Sequence, residues 1–382
     1  MSVLLQTSDG LVVCHEKYLE SCYEAVHKED HLIKLVPHKH LFLVKTPYMK
    51  DEEAHKKVKE VQNPSSLQTR KRKFAASDKL TDLKVCDVKD VYQRLLTDAQ
   101  HHGHFSFTPS ATDIIHNNKD ARLMSENLYK QSSDWIPSPF TGENNTSDTL
   151  VKKIGPESFV FPPNCKFFCR DVRDIKNHLD ALGKFDLILL DPPWWNKYIR
   201  RKKSKCLQEG YKMMYNDCLG ELPLNELLSP GGIIAVWCTN SKSNLEELRD
   251  KLFPMWGTKQ IARWTWMKVT QSGHPVCPFS EPPGKQPFEQ LIFGVRPEEI
   301  DLYCRPQDGK ILMSVPSAIH SHKPPISDIM KPYVPAQPRS LEIFARYLLP
   351  NWTSWGLEVI KLQHSSLFHE GPVSLSEDVS VS

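Results

Sequence analysis

The residues best suited to chemistry are the four that follow the apolar run Phe185–Leu190: Asp191, Pro192, Pro193 and Trp194. Two successive prolines cannot continue a β-ladder, so the chain must leave its sheet there. In an open α/β sheet that point is the carboxyl edge of the strands, where ligands bind. A carboxylate, a carbonyl whose direction proline fixes and an aromatic face then stand together. They suit a flat base with an exocyclic amine. Such an amine is a poor nucleophile, because its lone pair is delocalised into the ring. Acceptors for both of its hydrogens, Asp191 and the Pro192 carbonyl, hold the nitrogen nearer a tetrahedral state and neutralise the charge that develops as it attacks. Stacking on Trp194 adds roughly 1–3 kcal/mol, and the base must be unpaired or flipped out to reach it. No covalent intermediate or metal is required. A bare Asp-Pro-Pro turn with a core tryptophan would carry no chemistry. The apolar strand directly before it favours the functional reading.

Next to the motif lies a basic loop. Six of residues 196–205 are Arg or Lys. Asn196, Lys197, Arg200, Arg201, Lys202 and Lys203 are read as a grip on substrate phosphates, with Lys268 counted among them; a solvated surface loop is the plain alternative. The net charge is only +3, so any nucleic-acid role rests on such local clusters. A second cluster, Arg70 to Lys73, reads equally as a nuclear-import or nucleic-acid patch or as a solvated linker. The ten cysteines form no C-x-x-C pair, which fits reduced thiols in a cytosolic or nuclear protein. His101, His102 and His104 lie in a polar stretch, and no metal site is expected. No apolar run approaches the roughly 18 residues of a membrane span, and the first residues lack the pattern of a secretory signal.

Elements must position these residues. Hydrophobic residues make up 40% and charged residues 25% of 382, ordinary for a globular protein with room for a large core. Residues 1–61 read as a small α+β unit, with strands at 11–14 and 41–44 and a helix over 18–27. Residues 62–150 read as a linker and helical middle region. Apolar residues at Val85, Val88, Tyr92, Leu95 and Leu96 give a helical stripe, whereas 109–150 looks like a linker or weakly ordered insertion. Residues 151–366 form the catalytic domain, with apolar strands at 185–190, 233–238, 261–269, 291–295, 311–315 and 341–345, and helices at 244–253 and 326–333. Continuous apolar strands imply a sheet covered on both faces. Residues 367–382 read as a disordered tail.

Here the sequence resembles the adenine N(6)-methyltransferases of the Asp-Pro-Pro-Trp type, most closely the methyltransferase-like protein four branch. Besides residues 191–194, the resemblance rests on Trp264-Thr265-Trp266-Met267-Lys268, Pro287-Phe288-Glu289, residues 315–325, Leu341-Glu342-Ile343-Phe344-Ala345-Arg346 and Trp352-Thr353-Ser354-Trp355-Gly356. It covers roughly residues 156–365. It implies an α/β, Rossmann-like S-adenosylmethionine methyltransferase fold, circularly permuted, with a mostly parallel sheet covered by helices and a smaller N-terminal α+β region. S-adenosylmethionine is the implied cofactor. The resemblance carries its binding onto Asp171, Val172, Asp191, Pro192, Lys323, Glu342, Phe344, Arg346, Gly356 and Glu358. Plainer readings stand beside these: Asp171 as a helix N-cap, Glu342 and Arg346 as a local ion pair, and Trp264, Trp266, Trp352 and Trp355 as core aromatics. The chain departs from its relatives at Leu357, where they carry Asn, and at 347–349, where some place a polar pair. The implied activity is adenine N(6)-methylation of RNA, at 2′-O-methyladenosine of small nuclear RNA, with DNA as a further substrate. The chain is expected to act as a monomer, in the nucleus and also the cytoplasm. A catalytically silent, nucleic-acid-binding scaffold is the alternative, and retention of all four motif residues speaks against it. A small-molecule methyltransferase fits poorly with the basic loop.

Overall fold

The computed structural model describes residues 2–28, 31–49, 85–131, 139–194, 216–280 and 284–371. The strands are β1 (Val3–Gln6), β2 (Gly10–Val13), β3 (Val26–Lys28), β4 (His31–Pro37), β5 (Phe140–Asn144), β6 (Thr149–Ile154), β7 (Glu157–Phe161) and β8 (Cys165–Cys169). They continue with β9 (Phe185–Leu190), β10 (Leu228–Cys238), β11 (Lys259–Lys268), β12 (Phe288–Val295), β13 (Ile311–Ser314), β14 (Ser340–Ile343), β15 (Trp352–Trp355) and β16 (Phe368–Gly371).

Eleven strands form one sheet in the order β1-β2-β13-β11-β12-β10-β9-β14-β15-β8-β5. From β10 through β9, β14 and β15 to β8 every pairing is parallel. β12 runs antiparallel between β10 and β11. The motif strand β9 precedes its neighbour β14 by about 150 residues of chain, the permuted order the resemblance implies. Along β9, Leu187 and Leu189 enter one apolar cluster while Ile188 and Leu190 enter another. Ile233 and Ala235 of β10 join the first, Ile234 and Val236 the second. The period of two therefore feeds both faces, so the strand reads as continuously apolar. Each such leucine or isoleucine contributes about 1.5–3 kcal/mol by burial.

The N-terminal residues do not stand apart from this sheet. β1 and β2 form an antiparallel pair, and β2 lies parallel to β13. Contact here is close, since a Cβ on Gly10 would stand 1.9 Å from the Ile311 carbonyl oxygen. β3 and β4 join β6, β7 and β16 in a second, five-stranded sheet. That sheet knits together residues from both ends and the middle of the chain. β16 pairs with β4, so the segment read as tail is a strand as far as Gly371; residues beyond it lie outside those described.

Three further expectations change. The apolar run at 41–44 is not a strand: Lys39–Phe42 is a 3-10 turn whose Leu41 carbonyl accepts from Ala318 N at 2.7 Å. Four apolar residues cannot distinguish the two by periodicity. The helix expected over 18–27 is α1 (His15–Cys22), after which the chain turns into β3. Helix α2 (Val85–His101) follows its predicted stripe, burying Val88, Tyr92, Leu95 and Ala99. Of the polar stretch at 109–150, the described residues are folded, into α3 (Ala111–His116), α4 (Lys119–Gln131) and β5. Ser110 and Asp113 make a capping box, and Asn117 closes α3 at φ 45. Asn118 bonds Lys45 N, Thr46 N and Thr46 O, and Asn144 donates to three carbonyls. Asparagines that resemble loop composition here satisfy buried backbone. The basic run at 70–73 lies outside the described residues.

Candidate active site

β9 ends at Leu190, with β10 and β14 on either side of it. Asp191 N still bonds Ile343 O of β14 at 3.3 Å, and then the prolines carry the chain off the sheet. Trp194 N returns to Pro192 O at 2.8 Å, a tight turn. The Trp194 indole donates to Trp237 O of β10 at 2.7 Å, and the residue is 8% exposed. Trp194 is therefore first a member of the core cluster beneath the sheet edge, with only a margin of its ring open for stacking.

Asp191 lies in a chain of alternating charges drawn from β9, β11, β12, the loop after β13 and the segments that follow β14 and β15. Lys268, at the end of β11, bonds Glu289 of β12. Glu289 Oε2 lies 2.8 Å from Lys323 Nζ, which lies 3.4 Å from Asp191 Oδ1. Asp191 Oδ2 takes Arg346 Nη1 at 3.0 Å, and Arg346 Nε reaches Glu358 Oε2 at 3.2 Å. Lys361 closes the chain on Glu358 Oε1 at 2.6 Å. Such a network persists in a low dielectric only because each buried charge meets its opposite. Burial pushes the Lys323 ammonium down, but Asp191 and Glu289 more than offset it and hold the lysine above its ordinary value. Burial likewise pushes Glu289 up, and Lys323 and Lys268 overcome it, holding the carboxyl well below the usual range. Lys268 moves the other way, lowered by burial that Glu289 only partly offsets. Its ammonium stands 4.4 Å from the Trp266 ring centroid, and that ring packs edge-on at 5.5 Å against Trp237.

Glu342, on β14 beside β9, is the unusual member. It is 3% exposed, and its Oε2 has no hydrogen-bond partner. Burial raises its pKa to about 8, and the Asp191 charge adds to that. At neutral pH it is largely a protonated carboxyl, able to donate as well as accept. Arg346 pairs with Asp191 and Glu358, so the simple local pair with Glu342 is not what positions it. Between them Phe344 sits at φ 66, and Ser321, two residues before Lys323, at φ 59. Left-handed backbone at bulky or buried positions is strained, and such residues cluster at functional sites.

The other expected residues gather at the same edge, with different degrees of freedom. Asp171 is the N-cap of the 3-10 helix Val172–His178 and pairs with Arg173, so the capping reading holds for its side chain. Its backbone carbonyl accepts from the Trp355 indole at 3.0 Å. Val172 is buried. Gly356 N bonds Phe168 O, fixing the turn after β15, and Glu358 is engaged by Arg346 and Lys361. Leu348 and Leu349 are buried in apolar clusters, whereas Leu357 is 36% exposed. Trp264, Trp266, Trp352 and Trp355 are all buried, as core aromatics should be. Asn196, Lys197, Arg200, Arg201, Lys202 and Lys203 lie outside the described residues. Glu289, Trp237 and Lys361 were not singled out as site residues from sequence. Glu289 had a legible mark, a carboxylate near the start of the otherwise apolar strand β12, since a buried charge is rare without a partner. Among the described residues no cluster of three His, Cys, Asp or Glu is placed to hold a metal, and no helix is long and apolar enough to cross a membrane.

Comparison with known proteins agrees with this geometry. The MT-A70 family model matches residues 185–358, from the first residue of β9 to Glu358. The chain is 35% identical over 234 residues to the N(6)-adenine-specific methyltransferase METTL4 of Homo sapiens, covering 59% of this chain and 48% of that protein. It is 32% identical over 245 residues to a DNA N6-methyl methyltransferase of Caenorhabditis elegans, covering 64% and 65%. It is 31% identical over 242 residues to the N6-methyladenosine RNA methyltransferase MTA1 of Pyricularia oryzae, covering 61% and 62%. The chain spans about half the length of the human and mouse relatives it matches. With the motif at a strand end, the permuted sheet order and the matched segment in agreement, residues 185–358 are an MT-A70 family domain.

Proposed function

We propose that this protein is an S-adenosylmethionine-dependent adenine N(6)-methyltransferase acting on RNA, at 2′-O-methyladenosine of small nuclear RNA. The observation that carries this reading is Asp191, fixed at the carboxyl edge of β9 by two cations from separate elements. A carboxylate has about four acceptor positions, so each oxygen keeps one for an amine hydrogen. The Pro192 carbonyl keeps a second lone pair beside its bond to Trp194 N. Because Lys323 and Arg346 hold Asp191 from both sides, it need not reorganise as positive charge develops on the attacking nitrogen.

The residues present fit the cofactor. Glu342 offers an unpartnered buried oxygen, the donor and acceptor a sugar hydroxyl requires. Lys323 offers a point charge for a carboxylate. Asp171, Val172, Phe344, Arg346, Gly356 and Glu358 lie at the ends of the adjoining strands β8, β14 and β15. When bound, S-adenosylmethionine supplies the electrophilic methyl group. Relatives named for RNA and for DNA both support a nucleic-acid substrate, and DNA is the second substrate of this proposal. The basic runs favour action in the nucleus, with the cytoplasm as second compartment, by the chain as a monomer. The test is methyl transfer from labelled cofactor to single strands containing one adenosine. RNA with a 2′-O-methyl group on that adenosine should be the best substrate, with plain RNA and DNA behind it. No transfer to any strand, with cofactor binding retained in calorimetry, would leave the silent scaffold as the correct reading.

A further inference from the structure

A second recess lies beyond Lys268. After β11 the chain forms a short hairpin: Val276 N bonds Lys268 O, Thr270 N bonds His274 O, and Gly273 turns at φ 81. Helix α2 packs on it, the Tyr92 hydroxyl donating to Gly273 O at 2.8 Å. Gly273 is needed there, because a Cβ would stand 2.4 Å from Leu96 and 3.3 Å from Phe105 Cβ. Where α2 ends, with Gly103 at φ 79, the chain crosses the hairpin through residues 104–109. Between them is an open cleft of about 370 Å³, lined by Gln100, His104, Phe105, Phe107, Ser272 and His274 among others.

The lining is built before any ligand arrives. Phe105, half-buried, sits at φ 55, a strained conformation for an aromatic residue. Phe107 is half-buried too, and Lys45 Nζ, anchored by Asp113, stands 5.5 Å from its ring centroid. On the hairpin, buried Thr270 bonds buried Ser272 at 2.9 Å, and Ser272 bonds Nδ1 of exposed His274 at 3.0 Å. That relay fixes the imidazole plane and leaves the Nε2 edge turned from the relay. Two held aromatic rings, oriented imidazole and hydroxyl groups, and an open mouth match an unpaired nucleobase: a ring to stack and polar edges to bond.

We infer that this cleft binds a nucleobase flanking the target adenosine on the same strand. The inference rests on the function proposed above. Ser272 is four residues from Lys268, at most about 14 Å of extended chain. The cleft therefore lies beside the Lys268 end of the charge network that reaches Asp191, on the path of a strand whose target base sits at Asp191.

The test is a coupling experiment on the full chain. A short RNA strand carrying little beyond its one adenosine is compared with a strand extended on both sides. Flanking bases of the long strand are replaced one at a time by abasic sites. Phe107→Ala, and separately His274→Ala on the hairpin, should weaken binding of the long strand, Phe107→Ala by roughly tenfold. Both variants should leave S-adenosylmethionine binding, transfer to the short strand and the thermal midpoint unchanged, and Phe107→Trp should restore long-strand binding. One abasic position flanking the target should cost wild type the same amount and cost Phe107→Ala nothing more. Additive losses at every position, or equal losses on both strands, would overturn the site while leaving the methyltransferase reading intact. Strand binding with this coupling but no methyl transfer would sink the methyltransferase reading alone. Absence of strand binding by wild type would remove both.

Discussion

At Asp191 both carboxylate oxygens are engaged, Oδ1 by Lys323 at 3.4 Å and Oδ2 by Arg346 at 3.0 Å. Asp191→Asn keeps the shape and removes the charge, so transfer should fall by about 10²–10³-fold. It should also cost about 3 kcal/mol of stability, because two buried cations lose a shared partner. Radiometric transfer assays and denaturant unfolding separate the two effects. Glu342 supports a different prediction. Its folded pKa is raised to about 8 from an ordinary 4.5, so the folded state holds its proton more tightly than the unfolded chain does. Its contribution to stability is complete below about 4.5 and is lost as pH rises through about 8. Glu342→Gln should flatten that decline, leaving the variant relatively more stable at alkaline pH. An unchanged slope of unfolding free energy between pH 5 and 8 would show Glu342 to be ionised in the fold.

The site depends on six elements meeting at one sheet edge: the ends of β9, β11, β14 and β15, the start of β12, and the loop carrying Lys323. That loop rests on N-terminal residues. The His322 ring packs edge-on at 4.3 Å against His15 of α1 and at 5.1 Å against Tyr347, whose hydroxyl donates to Lys323 O. Burial, with the neighbouring His322, keeps His15 well below the usual histidine range. On the far side of the sheet's β13, β2 is admitted because Gly10 has no side chain. Gly10→Ala should therefore push β2 away from Ile311 and destabilise the fold by about 2–3 kcal/mol, read from the urea midpoint at constant slope. In the middle region Asn144 donates to three carbonyls, sharing that of Asp148 with the Thr146 hydroxyl. Asn144→Ala should cost about 1–3 kcal/mol for the acceptors it strands, without altering transfer per folded molecule.

For the whole molecule, the distribution of strands matters more than any one contact. Removing residues 1–150 would take β1, β2 and β5 from the large sheet, and β3, β4 and the start of β6 from the small one. Such a truncation should not yield soluble, active protein; full activity would show the MT-A70 segment to be self-sufficient. The sequence alone determined where the motif strand ends and which residues it presents there. An apolar strand broken by Asp-Pro-Pro-Trp is a local pattern, and local sterics dictate where two prolines leave a sheet. It also determined the buried parallel core, because continuous apolar strands have no solvated face. Tertiary structure decided the rest. The pairing of Lys268, Glu289, Lys323, Asp191, Arg346 and Glu358 joins residues up to 155 positions apart, and no spacing rule connects them. The raised pKa of Glu342 follows from its burial, which sequence does not display. Within the polar segment, residues 110–131 and 139–150 fold with asparagines that bond backbone elsewhere in the chain, and Trp194 proves to be a core residue. Secondary structure is written in neighbours along the chain, whereas the electrostatics of a buried site depend on neighbours in space, which only the closed sheet supplies.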